Sequence, residues 1–466
     1  MVQRSCRVVL LLWGIISLVS CSKSVDLAGK QCPCTSGYVC DEATNTCVRP
    51  SDAGVLDASV PDADASIDDN PVMFLAAGGK HTCAVFTDGS LKCWGANNAG
   101  QLGYGVSPDI GDDETPASKP FVDVGGKVTQ VVASGDRTCA LLDNGTFKCW
   151  GAAFNVYDNV PADAPAIDFG TKVVQLAAGG AHACALLADD SVHCWGAAAY
   201  GQLGYGNTTA IDYDDLPEDS GPVSVGADVI RIAAGVNHTC ALMDDGRVRC
   251  WGENYRGALG YKNALNIGDD ELPSEAGPVP LLYNGTLNVE QLPADDIVSR
   301  DRHTCTRHGG KAVCWGANST DKIPGTAAGA LGLGHTNDVG DNEYPSTDTG
   351  INTGAVVMQL ATGQEHTCAL LEGGQVLCWG GGVFGALGYG DNLNIGDDEL
   401  PVSVDPVSVG GEASQVVTGD EHTCALLVNG DVRCWGAGQN GRLGYGNENS
   451  IGVGERPSDV GPVQLK

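Results

Sequence analysis

Residues 233–252 read Ala233-Ala234-Gly235-Val236-Asn237-His238-Thr239-Cys240-Ala241-Leu242-Met243-Asp244-Asp245-Gly246-Arg247-Val248-Arg249-Cys250-Trp251-Gly252. Two short apolar stretches flank a turn centred on Asp245. Gly246 supplies the left-handed residue that a three-residue hairpin loop wants, so the stretch predicts two antiparallel strands. The two cysteines stand ten residues apart with the turn halfway between them.

The same passage recurs along the chain. Cys-Trp-Gly appears with its tryptophan at Trp94, Trp150, Trp195, Trp251, Trp315, Trp379 and Trp435, at intervals of 56, 45, 56, 64, 64 and 56. The fullest copies continue into Gly-x-Leu-Gly-Tyr-Gly, then an acidic loop, seen at Leu393 to Pro401, then Gly-Pro-Val-x-Val. A period of this length marks a propeller or solenoid and takes precedence over local assignment. No copy holds an apolar pattern long enough for a ten-residue helix. About four strands fit in each unit, so the expected fold is all-β: a seven-bladed β-propeller of four-stranded blades. Its ends match a closed ring. It opens at Val72 in mid-repeat and stops at Gly461 to Leu465, a stretch expected to complete the blade begun at residue 72.

Hairpin geometry pairs the cysteines. Cys83 with Cys93, Cys139 with Cys149, Cys184 with Cys194, Cys240 with Cys250, Cys368 with Cys378, and Cys424 with Cys434 are ten apart. Cys305 and Cys314 are nine apart, across the shorter turn Gly309-Gly310. One residue is lost from loop and spacing together, as opposed cross-strand partners require. Disulfides want closer Cβ atoms than the average opposed pair, so the non-hydrogen-bonded sites are expected. A His-Cys-Cys metal site per blade, such as His81, Cys83 and Cys93, is the rival. It fails in the second copy, where Arg137 replaces the histidine and Cys139 and Cys149 remain.

His81, His182, His238, His303, His366 and His422 share one repeat position. A catalytic histidine is needed once, so these six are read as structural, bonding to backbone inside each blade. The seven tryptophans are read as wedges between blades. The acidic loops are Asp112-Asp113-Glu114, Asp269-Asp270-Glu271, Asp341-Asn342-Glu343 and Asp397-Asp398-Glu399, with a looser copy at Asp212 to Asp215. Asp and Asn after Gly cap turns, and that use is preferred. Calcium is the rival, although the spacing does not match the EF-hand loop. Two copies are irregular. The second has Ala152 to Pro161 in place of both downstream motifs. The fifth follows a longer stretch, Leu282 to Ser299, and carries an insertion near Ser319 to Gly329. Altered loops on one arc are where a unique partner would bind.

The chain of 466 residues carries 58 acidic and 26 basic side chains, net −32. Nucleic-acid binding needs a basic face, so that class is excluded. Twenty cysteines point to an oxidising compartment. The N-terminus agrees. Arg4 and Arg7 precede the apolar run Val8 to Val19, too short to span a bilayer. That is the form of a secretory signal over residues 1–20. Leu18-Val19-Ser20-Cys21 resembles the lipobox of bacterial lipoproteins, which implies cleavage before Cys21 and lipid on its thiol. Ser22 rather than Asp follows, which the resemblance associates with the outer membrane or cell surface. Residues 21–49 form a small segment in which Cys32, Cys34, Cys40 and Cys47 are expected to make two disulfides, with three pairings open; zinc is the rival, although C-x-C is not its usual spacing and no histidine lies nearby. Residues 50–71 hold six aspartates and no base, and read as a disordered tether.

His238-Thr239-Cys240-Ala241-Leu242, then Gly246-x-Val248-x-x-Trp251-Gly252, then Gly257-x-Leu259-Gly260, resembles the regulator of chromosome condensation repeat. The resemblance covers roughly residues 72–466 and implies a seven-bladed propeller. Cysteine at two strand positions departs from the family's usual small or apolar residues and suits a secreted bacterial version. The family includes a nucleotide exchange factor for a small nuclear GTPase, and a secreted β-lactamase inhibitor. Residues 72–466 hold 49 acidic and 21 basic side chains behind an export signal, which speaks against the exchange activity. No nucleophile–base pair, phosphate loop or metal motif occurs singly. The expectation is a monomeric, lipid-anchored binding module without cofactor or catalysis, engaging a protein or glycan through its loops. An enzyme inhibitor and a channel-mouth hydrolase or lyase are the alternatives.

Overall fold

The computed structural model describes residues 39–41, 46–48, 70–105, 108–152, 160–212, 220–283, 286–287, 293–318, 328–346 and 350–466. The chain divides into two units, residues 1–67 and 68–466. In the first, Val39–Asp41 pairs antiparallel with Thr46–Val48, and Cys40 stands opposite Cys47 in the backbone register. The expected signal, Cys21, Cys32, Cys34 and nearly all of the tether lie outside the described residues. No helix of the described residues is long and apolar enough to cross a membrane.

The second unit is a seven-bladed β-propeller. Each blade is a three-stranded antiparallel meander. Blade 1 runs Val72–Ala77, His81–Phe86 and Leu91–Gly95. Blade 2 runs Val128–Ser134, Arg137–Leu142 and Phe147–Gly151. Blade 3 runs Val173–Ala178, His182–Leu187 and Val192–Gly196. Blade 4 runs Val229–Ala234, His238–Met243 and Val248–Gly252. Blade 5 runs Asp296–Arg300, His303–His308 and Lys311–Gly316. Blade 6 runs Val357–Thr362, His366–Leu371 and Val376–Gly380. Blade 7 runs Ala413–Thr418, His422–Leu427 and Val432–Gly436. The first strands of all seven blades surround a central aperture of about 300 Å³.

The fourth strand expected of each blade is reduced to single bridges. Val122 pairs with Leu91, Ile167 with Phe147, Ile351 with Ala312 and Val407 with Val376. Glycine and proline beside these residues leave too little extended chain for a ladder, yet one bridge still covers the exposed edge. The C-terminal segment behaves likewise. Val463 N donates to Val432 O at 2.9 Å, so it completes blade 7 rather than blade 1. It then reaches blade 1: Ala117 N donates to Gln464 O and Lys92 Nζ to Leu465 O. The ring closes by that contact between the first and last blades.

All seven hairpin disulfides are present, one per blade, with Cα atoms 4.0–4.1 Å apart. That distance belongs to the closer, non-hydrogen-bonded class of opposed pairs. Both cysteines of every pair are buried, together with the seven tryptophans, in a core that runs round the ring.

Candidate functional site

The repeated residues are consumed by the joints between blades. His81 Nε2 lies 2.8 Å from Thr138 Oγ1 of the next blade, and His182 Nε2 lies 2.8 Å from Thr239 Oγ1. His238–Thr304, His303–Thr367, His366–Thr423 and His422–Thr82 repeat the contact at 3.0 Å. The partner is therefore a hydroxyl on the neighbouring blade, not backbone within the same blade as the sequence suggested. Position alone could not show this, because the threonine lies one blade away.

The threonines fix the histidine tautomer. Thr239 Oγ1 donates to Gln202 O at 3.0 Å, Thr138 to Gln101 O at 2.8 Å and Thr423 to Ala386 O at 3.0 Å. A hydroxyl has one proton, so its oxygen must accept from the imidazole, which then carries hydrogen on Nε2. Burial holds His81, His182, His238 and His366 down at about 3, and His303 at about 4. All are neutral at physiological pH. The same carbonyls take the tryptophans: Trp251 Nε1 donates to Gln202 O at 3.1 Å and Trp435 Nε1 to Ala386 O at 3.0 Å. Room for the imidazole comes from a glycine. A Cβ on Gly179 would lie 2.2 Å from the His182 ring.

The acidic loops are joints too. Gly268, with φ of +96°, sits where a Cβ would come within 2.4 Å of Gly201 O in the preceding blade. Equivalent contacts join Gly340 to Gly257 and Gly396 to Gly329. After these glycines the carboxylates of Asp112, Asp113 and Glu114 converge, with ligand atoms within 4.8 Å of one another. Asp269, Asp270 and Glu271, and Asp397, Asp398 and Glu399, do the same. Burial, then the neighbouring aspartate, raises the pKa of Glu271 and of Glu399. Three carboxylates offer at most six oxygens, and the remainder of the six to eight that calcium takes would have to come from backbone or water. The role visible in the backbone is the turn.

The first strands add further joints around the aperture. In four blades the third residue of the first strand is a glutamine that clasps the next blade. Gln175 donates Nε2 to Ile232 O and accepts from Ile232 N, both at 2.9 Å. Gln130, Gln359 and Gln415 grip the next blade in the same way. Between blades 4 and 5 the contact is charged, where Arg231 Nη1 meets Asp296 Oδ1 at 2.6 Å. At the far end of the strands, Arg300 crosses the aperture from blade 5. Its Nη1 donates to Ala77 O of blade 1 at 2.8 Å and Thr418 O of blade 7 at 3.2 Å, and Nη2 lies 3.3 Å from Asp420 Oδ1. Sequence reasoning missed Arg300. Its signal was an arginine where five copies have glycine and one has Ser134.

At the near end, six first strands carry a β-bulge after their first residue. A bulge leaves one residue unpaired and re-aims its side chain. The bulged residues are Met73, Thr129, Val174, Ile230, Met358 and Ser414. Four of them are large and apolar, yet 45–53% exposed. They stand at one end of the first strands that surround the aperture, just beyond the residues that line it. Sequence reasoning singled out the loops and overlooked this set, because each residue merely continues a strand-like apolar run.

Comparison with known proteins follows the repeats. The family described as "Regulator of chromosome condensation (RCC1) repeat" matches residues 74–101, 128–157, 173–202, 229–258, 357–386 and 413–442. A second family with the same description matches 189–242 and 373–426. The chain is 28% identical to the Ultraviolet-B receptor UVR8 of Arabidopsis thaliana over 80% of its length and 79% of the relative's. It is 30% identical to the human probable E3 ubiquitin-protein ligase HERC3 over 47% of its length, which is 18% of that much longer protein. The crystal structure of Prp20p from Saccharomyces cerevisiae superposes with a TM-score of 0.58 at 20% identity, over 76% of this chain and 82% of that one.

Proposed function

Because this chain belongs to the regulator of chromosome condensation repeat family, we propose that its propeller is a binding module, not an enzyme, and engages a protein or glycan partner. The observation that carries the reading is the exposed apolar set of Met73, Val174, Ile230 and Met358 at one end of the first strands. Exposed apolar side chains grouped at one place mark interaction sites. The repeated histidines and threonines are already engaged between blades, so they offer no free proton-transfer group. The charged groups in the aperture pair with one another.

The module is anchored by lipid on Cys21 outside the cytoplasm, as a monomer. Seven disulfides suit an oxidising compartment and not a nucleus. Prp20p, with the similar propeller, has binding properties to Gsp1p and histones; the disulfides and the export signal argue against carrying exchange activity over. Inhibition of an extracytoplasmic enzyme is a special case of the same reading.

Affinity capture from the envelope fraction tests it, comparing wild type with Ile230→Glu/Met358→Glu and with a deletion of residues 319–327, which spares Gly329 and its joint to Gly396. Partners enriched by wild type should be lost from one variant while both melt normally. Identical partner sets from all three proteins refute the reading. Metabolic labelling with an alkyne-tagged fatty acid tests the anchor, since Cys21→Ala should abolish the label and release the protein.

A further inference from the structure

Blades 1, 3, 4, 6 and 7 carry a repeated tyrosine at their outer edge, at Tyr104, Tyr205, Tyr261, Tyr389 and Tyr445; blade 2 lacks the whole motif, and blade 5 keeps the motif but not the tyrosine. Each disulfide cysteine of a third strand occupies a non-hydrogen-bonded position, so its N–H and C=O point away from the middle strand. In blades 3, 6 and 7 a phenol takes both groups. Tyr205 accepts from Cys194 N at 3.2 Å and donates to Cys194 O at 3.3 Å. Tyr389 does so with Cys378 at 3.2 and 3.0 Å, and Tyr445 with Cys434 at 3.1 and 3.2 Å. In blade 4, Tyr261 accepts from Cys250 N at 3.4 Å and donates to Gly277 O at 2.9 Å. Burial pushes the Tyr445 hydroxyl up to about 12. These phenols therefore stay neutral, each both donor and acceptor.

In blade 5 the position is Leu333. No hydroxyl among the described residues takes the Cys314 N–H and carbonyl. Beside them lies a cavity of about 590 Å³, lined by Val313, Cys314, Leu333, His335, Tyr344 and Ile351 among others. Its volume falls in the range of small-molecule sites, which combine apolar walls with a few placed polar groups. A leucine cannot supply the hydroxyl, and it leaves the space where the other blades place a ring.

We propose that this cavity binds a phenol, whose ring lies against Val313, Leu333 and Ile351 and whose hydroxyl bridges the Cys314 N–H and carbonyl. The protein's own tyrosines are the template for the pose. The site is on the outer edge of one blade, away from the first strands, so it stands independently of the proposed partner surface.

The test is titration of the full mature chain with p-cresol, read by calorimetry and melting temperature, with toluene as the control lacking the hydroxyl. Saturable binding of p-cresol is expected, about tenfold tighter than toluene, the worth of the two hydrogen bonds its hydroxyl makes. Leu333→Tyr supplies the phenol from the chain itself. It should lose p-cresol binding at least about tenfold while melting no lower than wild type. Tyr261→Leu opens the equivalent place in blade 4 and should raise the stoichiometry from one towards two. N-acetyltyrosinamide separates the sources: tighter binding than p-cresol assigns a tyrosine of a partner polypeptide, weaker binding a free phenol. No saturable binding, equal binding of toluene, or unchanged binding by Leu333→Tyr overturns the proposal.

Discussion

Blade 3 meets its two neighbours in different ways. Towards blade 4 the joint is complete. His182 bonds Thr239, Thr239 and Trp251 share Gln202 O, Gly268 abuts Gly201, and Gln175 clasps Ile232. Towards blade 2, the histidine position is Arg137 and the threonine position is Ala183. Arg137 donates instead to the carbonyls of Ala152 and Gly180. Trp195 Nε1 is buried with no partner among the described residues. The Gln130 clasp on Leu176 remains. The histidine donor and the threonine acceptor are absent together, so neither of that pair is left unpaired and buried, which would cost more than losing both; the indole N–H of Trp195 is what this seam leaves unpaired among the described residues. A ring of like blades can carry one weaker seam because the other joints, and the hairpin disulfides, hold it.

Reduction of the disulfides should have the largest effect on that comparison. Each closes a short loop worth about 2–3 kcal/mol, so seven together exceed the ~5–15 kcal/mol net stability of a typical domain. Excess reductant in mild denaturant should unfold the whole propeller, followed by circular dichroism. A reduced protein with an unchanged melt would mean that the inter-blade joints alone suffice.

Acid comes next. The six histidines are held below their ordinary value of 6.5 in the fold, so the unfolded chain takes up their protons first. Stability is therefore full above about pH 6.5 and falls as pH drops towards 3, by ~1.4 kcal/mol per pH unit for each histidine kept neutral. Glu114, Glu271, Glu343 and Glu399 have raised values and oppose this loss as they gain protons. They are half-exposed, so the histidines dominate. Urea midpoints should fall steadily between pH 7 and 4, and a flat profile would contradict the neutral state assigned to the histidines at the joints.

Single joints should show smaller effects. Thr239→Ala leaves the His182 N–H unpaired at the strong seam and should cost about 1–3 kcal/mol. Ala183→Thr at the weak seam, with no histidine opposite, should cost less than half as much by the same urea assay. Equal losses would mean that the two seams do not differ. Hydrogen exchange should find the amides of Leu176 and Ala177 less protected than those of Ile232 and Ala233. The smallest effect is expected from calcium. Added at millimolar concentration, it should leave the melting temperature unchanged if the acidic loops act as turns, and a rise of several degrees would reassign them as ligands.

Much of this was legible in the chain. Cys305 and Cys314 announced their pairing because one residue was lost from the turn and the spacing together. Strand number was less legible. Val122 and Ile351 sit in stretches that look like strands, but one bridge each is all their flanking backbone permits. The partner of each histidine was invisible. His182 and Thr239 are 57 residues apart, and only the packing of one blade on the next brings them together. Leu333 was readable as a broken repeat, but that its loss leaves a cavity beside Cys314 was not.

The sequence by itself determined the repeat, the blade count, the hairpins and their disulfides, because these depend on neighbours within about ten residues. The tertiary structure decided the joints, the bulged residues at one end of the first strands, the span of Arg300 and the cavity in blade 5. Each of these depends on which side chains the closing of the ring brings face to face, and a local spacing carries no record of that.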